Sequence, residues 1–430
     1  MMEQRPDFDL TNPECYVTGD PHPLLKWLRH NAPLSRISDR EGNQYWALTK
    51  YADQVKVYRD PLTFSSQGPI AMTMPSGGIG ETMIVTDPPR HRQLRGFFNC
   101  FTPRAMAKWE GLVRGVVREI VAYTVQKGEC DFVLDVATRL VVEVFFVILG
   151  VPPADRPWLT KLEDMSTRRT DPEFQLAPAD DATPDQLAQM ASDSAIYASA
   201  EMAKYFGGLI EERRRSPQDD LLSLFATGTI EGVPLSQSGM LQNISFLTAA
   251  GLETTINASG GGLYALLNNS DQLERLRNNP ALIPSAVEEI LRLVTPVFHL
   301  LRTVTKDTEL RGERLRKGDL VALFVASANR DEEVFTDPDR FDVGRSPNEH
   351  LAFGYGEHFC LGASLARLEM RVLMQELLPV LGGIEPAGPI SRTRSVIVPG
   401  IKHLPIRFKT AATSAGSQPA NESRYFTRRS

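Results

Sequence analysis

Cysteine is scarce in this chain: four residues in 430, Cys15, Cys100, Cys130 and Cys360, lie far apart with no C-x-x-C pair. That scarcity excludes a disulfide framework and a structural zinc site of the usual spacing. Long apolar runs are also missing. Nowhere do about 18 apolar residues follow one another, so a bilayer-crossing helix is not expected. The first 20 residues are polar, without the apolar centre of a secretory signal, and read as a loose lead-in. Positive charge is not in excess: a net charge of −6 argues against wholesale nucleic-acid binding. There are no internal repeats, and Ala411–Ser430 holds so few apolar residues that a disordered tail is expected. Set against these absences, 42% hydrophobic and 23% charged residues describe an ordinary soluble protein with a large core, expected to be cytoplasmic.

What is present centres on His350–Arg367, HLAFGYGEHFCLGASLAR. Gly354 and Gly356 flank Tyr355, so the backbone can bend there and come close to a flat ligand. Leu361, Leu365, Leu368 and Val372 recur at helical spacing, which places Cys360 just before a helix N-terminus. The helix dipole and nearby amide donors favour a thiolate there, as a metal-bound sulfur requires. The competing reading is a buried structural cysteine.

In chain order, Pro21–Asn31 reads as a helix, Leu34–Ile37 and Tyr45–Thr49 as a strand pair, and Tyr51–Arg59 as a second helix. Ser65–Met83 is a long Gly/Pro/Met-rich loop, read either as a floppy surface loop or as a cover over a site. In Thr86–Arg95, Asp87 is expected to cap a helix opened by Pro88–Pro89, with His91 and Arg95 sharing one face at i, i+4. Two donors on one face suit a carboxylate, although an exposed basic helix would look the same. Trp109–Gln126 and Asp131–Leu149 read as apolar helices, and Thr170–Asp185 as a mobile connection to a helix from about Gln186 to Arg215. Ser236–Asn269 is the longest helical stretch. It carries the small residues Ala249, Ala250 and Gly251, followed by Glu253 and Thr254. A mid-helix glycine costs about 1 kcal/mol relative to alanine, so a close ligand or a local widening is expected at Gly251. An acid beside a hydroxyl can relay protons; ordinary packing with a half-buried glutamate is the plainer account. Glu289 and Arg292 sit at salt-bridge spacing on a helix over Ile283–Leu293. Pro296 forces an extended path that lets Val297, Phe298 and Leu300 face a pocket, with His299 a polar pocket or surface residue. Glu309–Phe324 is expected as two strands around a charged turn at Arg311–Arg316, and Ser395–Pro399 as a hairpin tip.

Phe353, Gly354, Gly356, His358, Cys360 and Gly362 match every fixed position of F-G-x-G-x-H-x-C-x-G, and the stretch therefore resembles the haem-ligand loop of the cytochromes P-450. The resemblance runs from roughly Pro21 to Lys409. It implies a mainly α fold with a smaller β-region, a helical prism enclosing haem b, in one catalytic domain over 21–410. It assigns Cys360 to the iron, Phe353, Gly354, His358, Gly362 and Ala250 to the haem surroundings, and His91, Arg95 and Arg302 to the propionates. Glu253 and Thr254 would deliver protons to bound oxygen; many members carry Asp where Glu253 stands, which leaves the acid's reach open. Ile70, Met72, Val297, Phe298, Ile397 and Val398 are expected against substrate. Glu289 and Arg292, joined by Arg340 of Pro338–Phe341, would form a structural lock. Arg90, Arg92, Arg104, Lys108 and Arg114 lie where the family docks an acidic ferredoxin, which would pass on electrons from NAD(P)H received through a ferredoxin reductase. The implied protein is a monomer without the membrane anchor of some relatives, hydroxylating a hydrophobic, terpenoid- or steroid-like molecule. A peroxide-driven or rearranging haem-thiolate enzyme and a non-catalytic haem-binding protein are the alternatives.

Overall fold

The structure is a computed structural model describing residues 4–408 except 73, 75 and 177–182. The expected tail, parts of the Met-rich loop and part of the 170–185 connection lie outside the described residues. The fold is mainly helical with smaller sheets, as expected. The helix Gln237–Asn268 runs through its middle, capped by the Ser236 hydroxyl, which accepts from the Gly239 N–H. Its neighbours pack close because three successive positions lack side chains. A Cβ on Gly260, Gly261 or Gly262 would meet Val133, Val294 or Ile290 at 2.8–2.9 Å. Gly251 has the same kind of reason. A Cβ there would stand 3.1 Å from the Phe145 ring, and the helix is not widened at that point, so close packing rather than a ligand explains this glycine.

A five-stranded sheet lies beside the helices in the order Leu34–Ser38, Gln44–Leu48, Leu320–Leu323, Leu300–Val304, Phe64–Ser65. Its first pair is the expected hairpin, with Leu34 opposite Leu48. The Glu309–Phe324 region differs from expectation. Its hairpin pairs Thr308–Leu310 with Glu313–Leu315 around a tight Arg311–Gly312 turn, both residues at positive φ, and Leu320–Leu323 joins the large sheet instead. Asp131–Leu149 is not one helix. Glu129–Asp131 is a strand, the Asp131 carboxylate accepts from the N–H groups of Val133 and Leu134, and Phe132–Thr138 winds as a π-helix before the α-helix Arg139–Leu149. The helix expected from Gln186 begins at Pro184, where Thr183 and Gln186 form a capping box. Asp87 does not cap the Arg90–Phe97 helix. Its carboxylate instead accepts from the Ser65 hydroxyl and the Ser66 N–H, tying the start of the Met-rich loop to the helix entrance.

The structural lock forms with a different third member. Glu289 and Arg292, both fully buried on Ile283–Val294, pair at 2.7 Å. The second guanidinium on Glu289 belongs to Arg345, at 3.0 Å. Arg340 has an exposed side chain and contributes only its carbonyl, which accepts from Arg292 and Arg345. The Pro338–Phe341 turn spends its backbone on the two buried arginines and turns the side chain of Arg340 outward.

Candidate active site

The ligand loop is held shut by its own backbone. The Cys360 N–H donates to the Phe353 carbonyl at 2.8 Å and the Gly354 N–H to that of Leu351 at 2.8 Å. Gly354 and Gly356 take φ of +69° and +71°, where a side chain is strained, and a Cβ on Gly356 would stand 3.1 Å from the Tyr58 carbonyl. The helix Ala363–Leu381 starts three residues after Cys360. Burial pushes the Cys360 thiol up, against the Gly362 N–H, Arg95, Arg367 and the Ala363 N–H, which all favour the thiolate. The donors expected beside the sulfur are therefore present, and burial of the thiol opposes them. Glu288, a residue that spacing did not single out, anchors the loop to Ile283–Val294. It accepts from Arg367 twice at 2.7 Å and pairs with His350 at 3.1 Å.

Beside the sulfur stands a group of donors without an acceptor. The rings of His91 and His358 lie 4.2 Å apart, and His91 Nδ1 and His358 Nε2 are buried without a hydrogen-bond partner. Glu357 comes no closer to His91 than 4.0 Å, its carboxylate being taken by Arg92. Arg302 is buried over the Tyr58 ring, 5.3 Å away, and donates only to the Leu301 carbonyl. No carboxylate among the described residues pairs with Arg302 or Arg95. Burial lowers the pKa of His91, and of His358 to about 2, and so favours the neutral form of both rings. Two unpaired cations and two unsatisfied imidazole nitrogens around a sulfur fit a ligand that combines a metal with carboxylates, as haem does with its propionates.

On the central helix, Ala250 is exposed and Gly251 and Thr254 are half-buried, although Leu247, Leu252, Thr255 and Ile256 around them are buried. Ala250 and Thr254, at i and i+4, form an accessible strip left free for a ligand, whereas Gly251 packs on Phe145. The Thr254 hydroxyl donates to the Ala250 carbonyl at 2.8 Å. Glu253 turns the other way, its carboxylate 3.5 Å from Arg168, beside a narrow cleft lined by Asn257, Thr393 and Val398. Burial lifts its pKa and Arg168 pulls it back, to about 7. Glu163, on the helix Arg156–Thr167, is buried with neither carboxylate oxygen hydrogen-bonded, and burial raises its pKa to about 8. Sequence reasoning missed Glu163 and Arg168. The available signal was a glutamate four residues after Leu159 on an apolar helix stripe.

The six expected substrate contacts divide. Ile70, Val297 and Ile397 are half-buried, and Ile397 also packs against the cluster around Tyr16, Leu24 and Leu25. Met72 and Phe298 are not: both sit in a hydrophobic cluster with Tyr16, Leu24 and Leu25, the Phe298 ring 6.0 Å from Tyr16 and 5.9 Å from His22. Neighbours on an extended segment face opposite ways, so Phe298 inside the core puts Val297 on the other side. Val398 lines the cleft beside Glu253.

A family model described as Cytochrome P-450 matches residues 42–379. The chain is 36% identical over 405 residues to cytochrome P-450-terp of Pseudomonas sp, covering 91% of this chain and 94% of that one. It is 35% identical over 415 residues to the steroid C26-monooxygenase of Mycolicibacterium smegmatis, covering 96% and 98%. Among solved structures, CYP109E1 of Bacillus megaterium in complex with testosterone superimposes with a TM-score of 0.81 at 31% identity, covering 93% of this chain and 100% of that one.

Proposed function

The chain belongs to the cytochrome P-450 family of haem monooxygenases, and from that premise we propose that it hydroxylates an apolar, steroid- or terpenoid-like molecule with electrons from a ferredoxin. The observation that carries the proposal is the placing of Cys360, under the Gly362 and Ala363 amides, beside Arg95 and Arg302, which have no carboxylate partner among the described residues, and two imidazole nitrogens without a hydrogen-bond partner. Haem bound through Cys360 supplies the oxidising chemistry, since thiolate ligation favours O–O cleavage. His91, Arg95 and Arg302 would hold its carboxylates, and His358 and Phe353 would close the ligand loop over it. Thr254, whose hydroxyl donates to the Ala250 carbonyl, would turn that proton toward the accessible strip on Ala250 and Thr254 when a substrate is bound. Glu253, titrating near neutral pH, returns that proton through the cleft shared with Arg168 and Asn257. This retained acid–alcohol pair favours the oxygen-activating cycle over a peroxide-driven one. Ile70, Val297 and Ile397 orient the substrate, which is the protein's own share of the selectivity.

The names of the relatives support the substrate class: one is a terpene-related P-450, one a steroid monooxygenase, and one structural neighbour holds testosterone. The test is an optical titration of the ferric protein with steroids, terpenoids, fatty acids and macrolides. A low-to-high-spin shift with steroids or terpenoids is the expected outcome; a shift confined to fatty acids or macrolides would reject the substrate class. Absence of a thiolate-type haem spectrum after reconstitution would reject the function.

A further inference from the structure

His299 is fully buried and stands one residue before the Leu300–Val304 strand. Both of its ring nitrogens are used, in opposite directions. Nε2 accepts from the Met72 N–H at 3.0 Å, and Nδ1 lies 3.1 Å from the Val396 carbonyl. A carbonyl only accepts, so Nδ1 carries the hydrogen and Nε2 keeps its lone pair for Met72. The ring packs on Phe324, centroids 5.5 Å apart. On either side the backbone repeats the connection: the Phe298 N–H donates to Ile397 at 2.8 Å and the Leu301 N–H to Ile70 at 2.7 Å. One imidazole thus joins three segments far apart in sequence, each carrying one of the half-buried residues Ile70, Val297 and Ile397. An amide side chain presents its donor and acceptor at one end and cannot span the same gap. Burial lowers the His299 pKa to about 4, which keeps the ring neutral and both bonds available.

We propose that His299 is a positioning residue that fixes the walls of the substrate pocket by stapling the Met72 loop to the Val396 hairpin tip, and thereby sets which apolar substrates fit. The proposal deepens the pocket reading above and rests on it. It also explains why Met72 and Phe298 are buried: their side chains anchor the staple from the core, while their neighbours face the cavity.

The test uses His299→Phe, which keeps the ring volume and the packing on Phe324 but deletes both bonds, in haem-loaded protein. Hydrogen exchange at residues 70–72 is expected to speed up about ten-fold, as for loss of a buried hydrogen bond, with exchange in Ile283–Val294 unchanged. Phenylimidazole, whose phenyl group reaches the pocket walls, is expected to bind several-fold more weakly, while imidazole, which needs only the iron, binds as before. Unchanged exchange and an unchanged phenylimidazole-to-imidazole affinity ratio in His299→Phe would overturn the proposal. Should that variant not fold, nitrogen-15 NMR of the wild-type, carbon-monoxide-bound ferrous protein decides: His299 protonated at Nδ1 is expected, and protonation at Nε2 would overturn it. A wild-type protein without a thiolate haem spectrum fails the functional reading instead, and the exchange and tautomer at His299 can still be measured.

Discussion

At the scale of residues, spacing found the pairs that lie on one element and missed those that cross between elements. Cys360, His91 with Arg95, and Glu289 with Arg292 are each set by neighbours a few positions away, and local periodicity is enough to bring them together. Arg345 on Glu289, Glu288 on the ligand loop and Arg168 on Glu253 depend on how distant segments return, which no local pattern encodes. The substitution of Arg345 for Arg340 in the lock is the clearest case. Glu289 is wholly buried and holds two guanidinium groups, so removing either leaves a buried charge short of a partner. Arg345→Ala is therefore expected to destabilise the protein by about 3 kcal/mol, whereas Arg340→Ala, at an exposed side chain, should stay within about 0.5 kcal/mol. Denaturant midpoints of the two variants at equal haem loading check this. The reverse order would restore Arg340 to the lock.

At the scale of elements, the long helices were legible from their apolar content, and two of them, Pro184–Arg215 and Gln237–Asn268, also from the capping residues Thr183 and Ser236. The π-helix at Phe132–Thr138 was not, because its sequence is as apolar as the helix that follows; only the Asp131 carboxylate, shared between Val133 and Leu134, marks the change. The strap over the Arg156–Thr167 helix end was likewise invisible. There His403 bridges Asp131 at 2.7 Å and Glu173 at 2.8 Å, and Lys402 holds Asp171 at 2.9 Å. Burial opposes a charge on His403, but its hydrogen bonds to Asp131 and Glu173 outweigh it, so its pKa is raised. With the folded value above the unfolded one, the strap's contribution is complete below the ordinary histidine value of 6.5 and is lost as pH rises through the raised value. Limited proteolysis within 170–176 should therefore accelerate as pH rises above 6.5 in the wild type, after correction for the protease's own profile. In His403→Gln the corrected rate should be faster at pH 6 and flat with pH. A wild-type rate that does not change with pH would remove the charge of His403 from the strap.

At the scale of the whole molecule, the ferredoxin proposed above, an acidic electron donor, would have to be attracted by a chain whose own net charge is −6. The basic residues expected on the docking face are mostly answered from within. Arg92 pairs with Glu357, Lys108 with Asp219 at 3.4 Å, and Arg114 with Glu110 and Glu376, while Arg90 donates to the Gly80 carbonyl. Arg104 is exposed and has no ion pair among the described residues. Paired charges largely cancel beyond a Debye length of about 10 Å at 0.1 M salt, so the field that steers a partner comes from the few charges left over. The Gly80 carbonyl leaves the charge of Arg90 uncancelled, but Arg90 is half-buried and Arg104 exposed, which makes Arg104 the residue whose reversal should matter most for encounter and least for chemistry. In Arg104→Glu, the apparent KM for an acidic ferredoxin is expected to rise about three- to ten-fold at low salt, with kcat at saturating ferredoxin unchanged and the difference from wild type shrinking as salt rises. Arg92→Gln should behave differently. It releases Glu357 beside His91 and the ligand loop, so its effect is expected in the haem spectrum and in kcat as well as in KM. Equal, salt-independent effects of the two substitutions would mean that electrons do not arrive through this face.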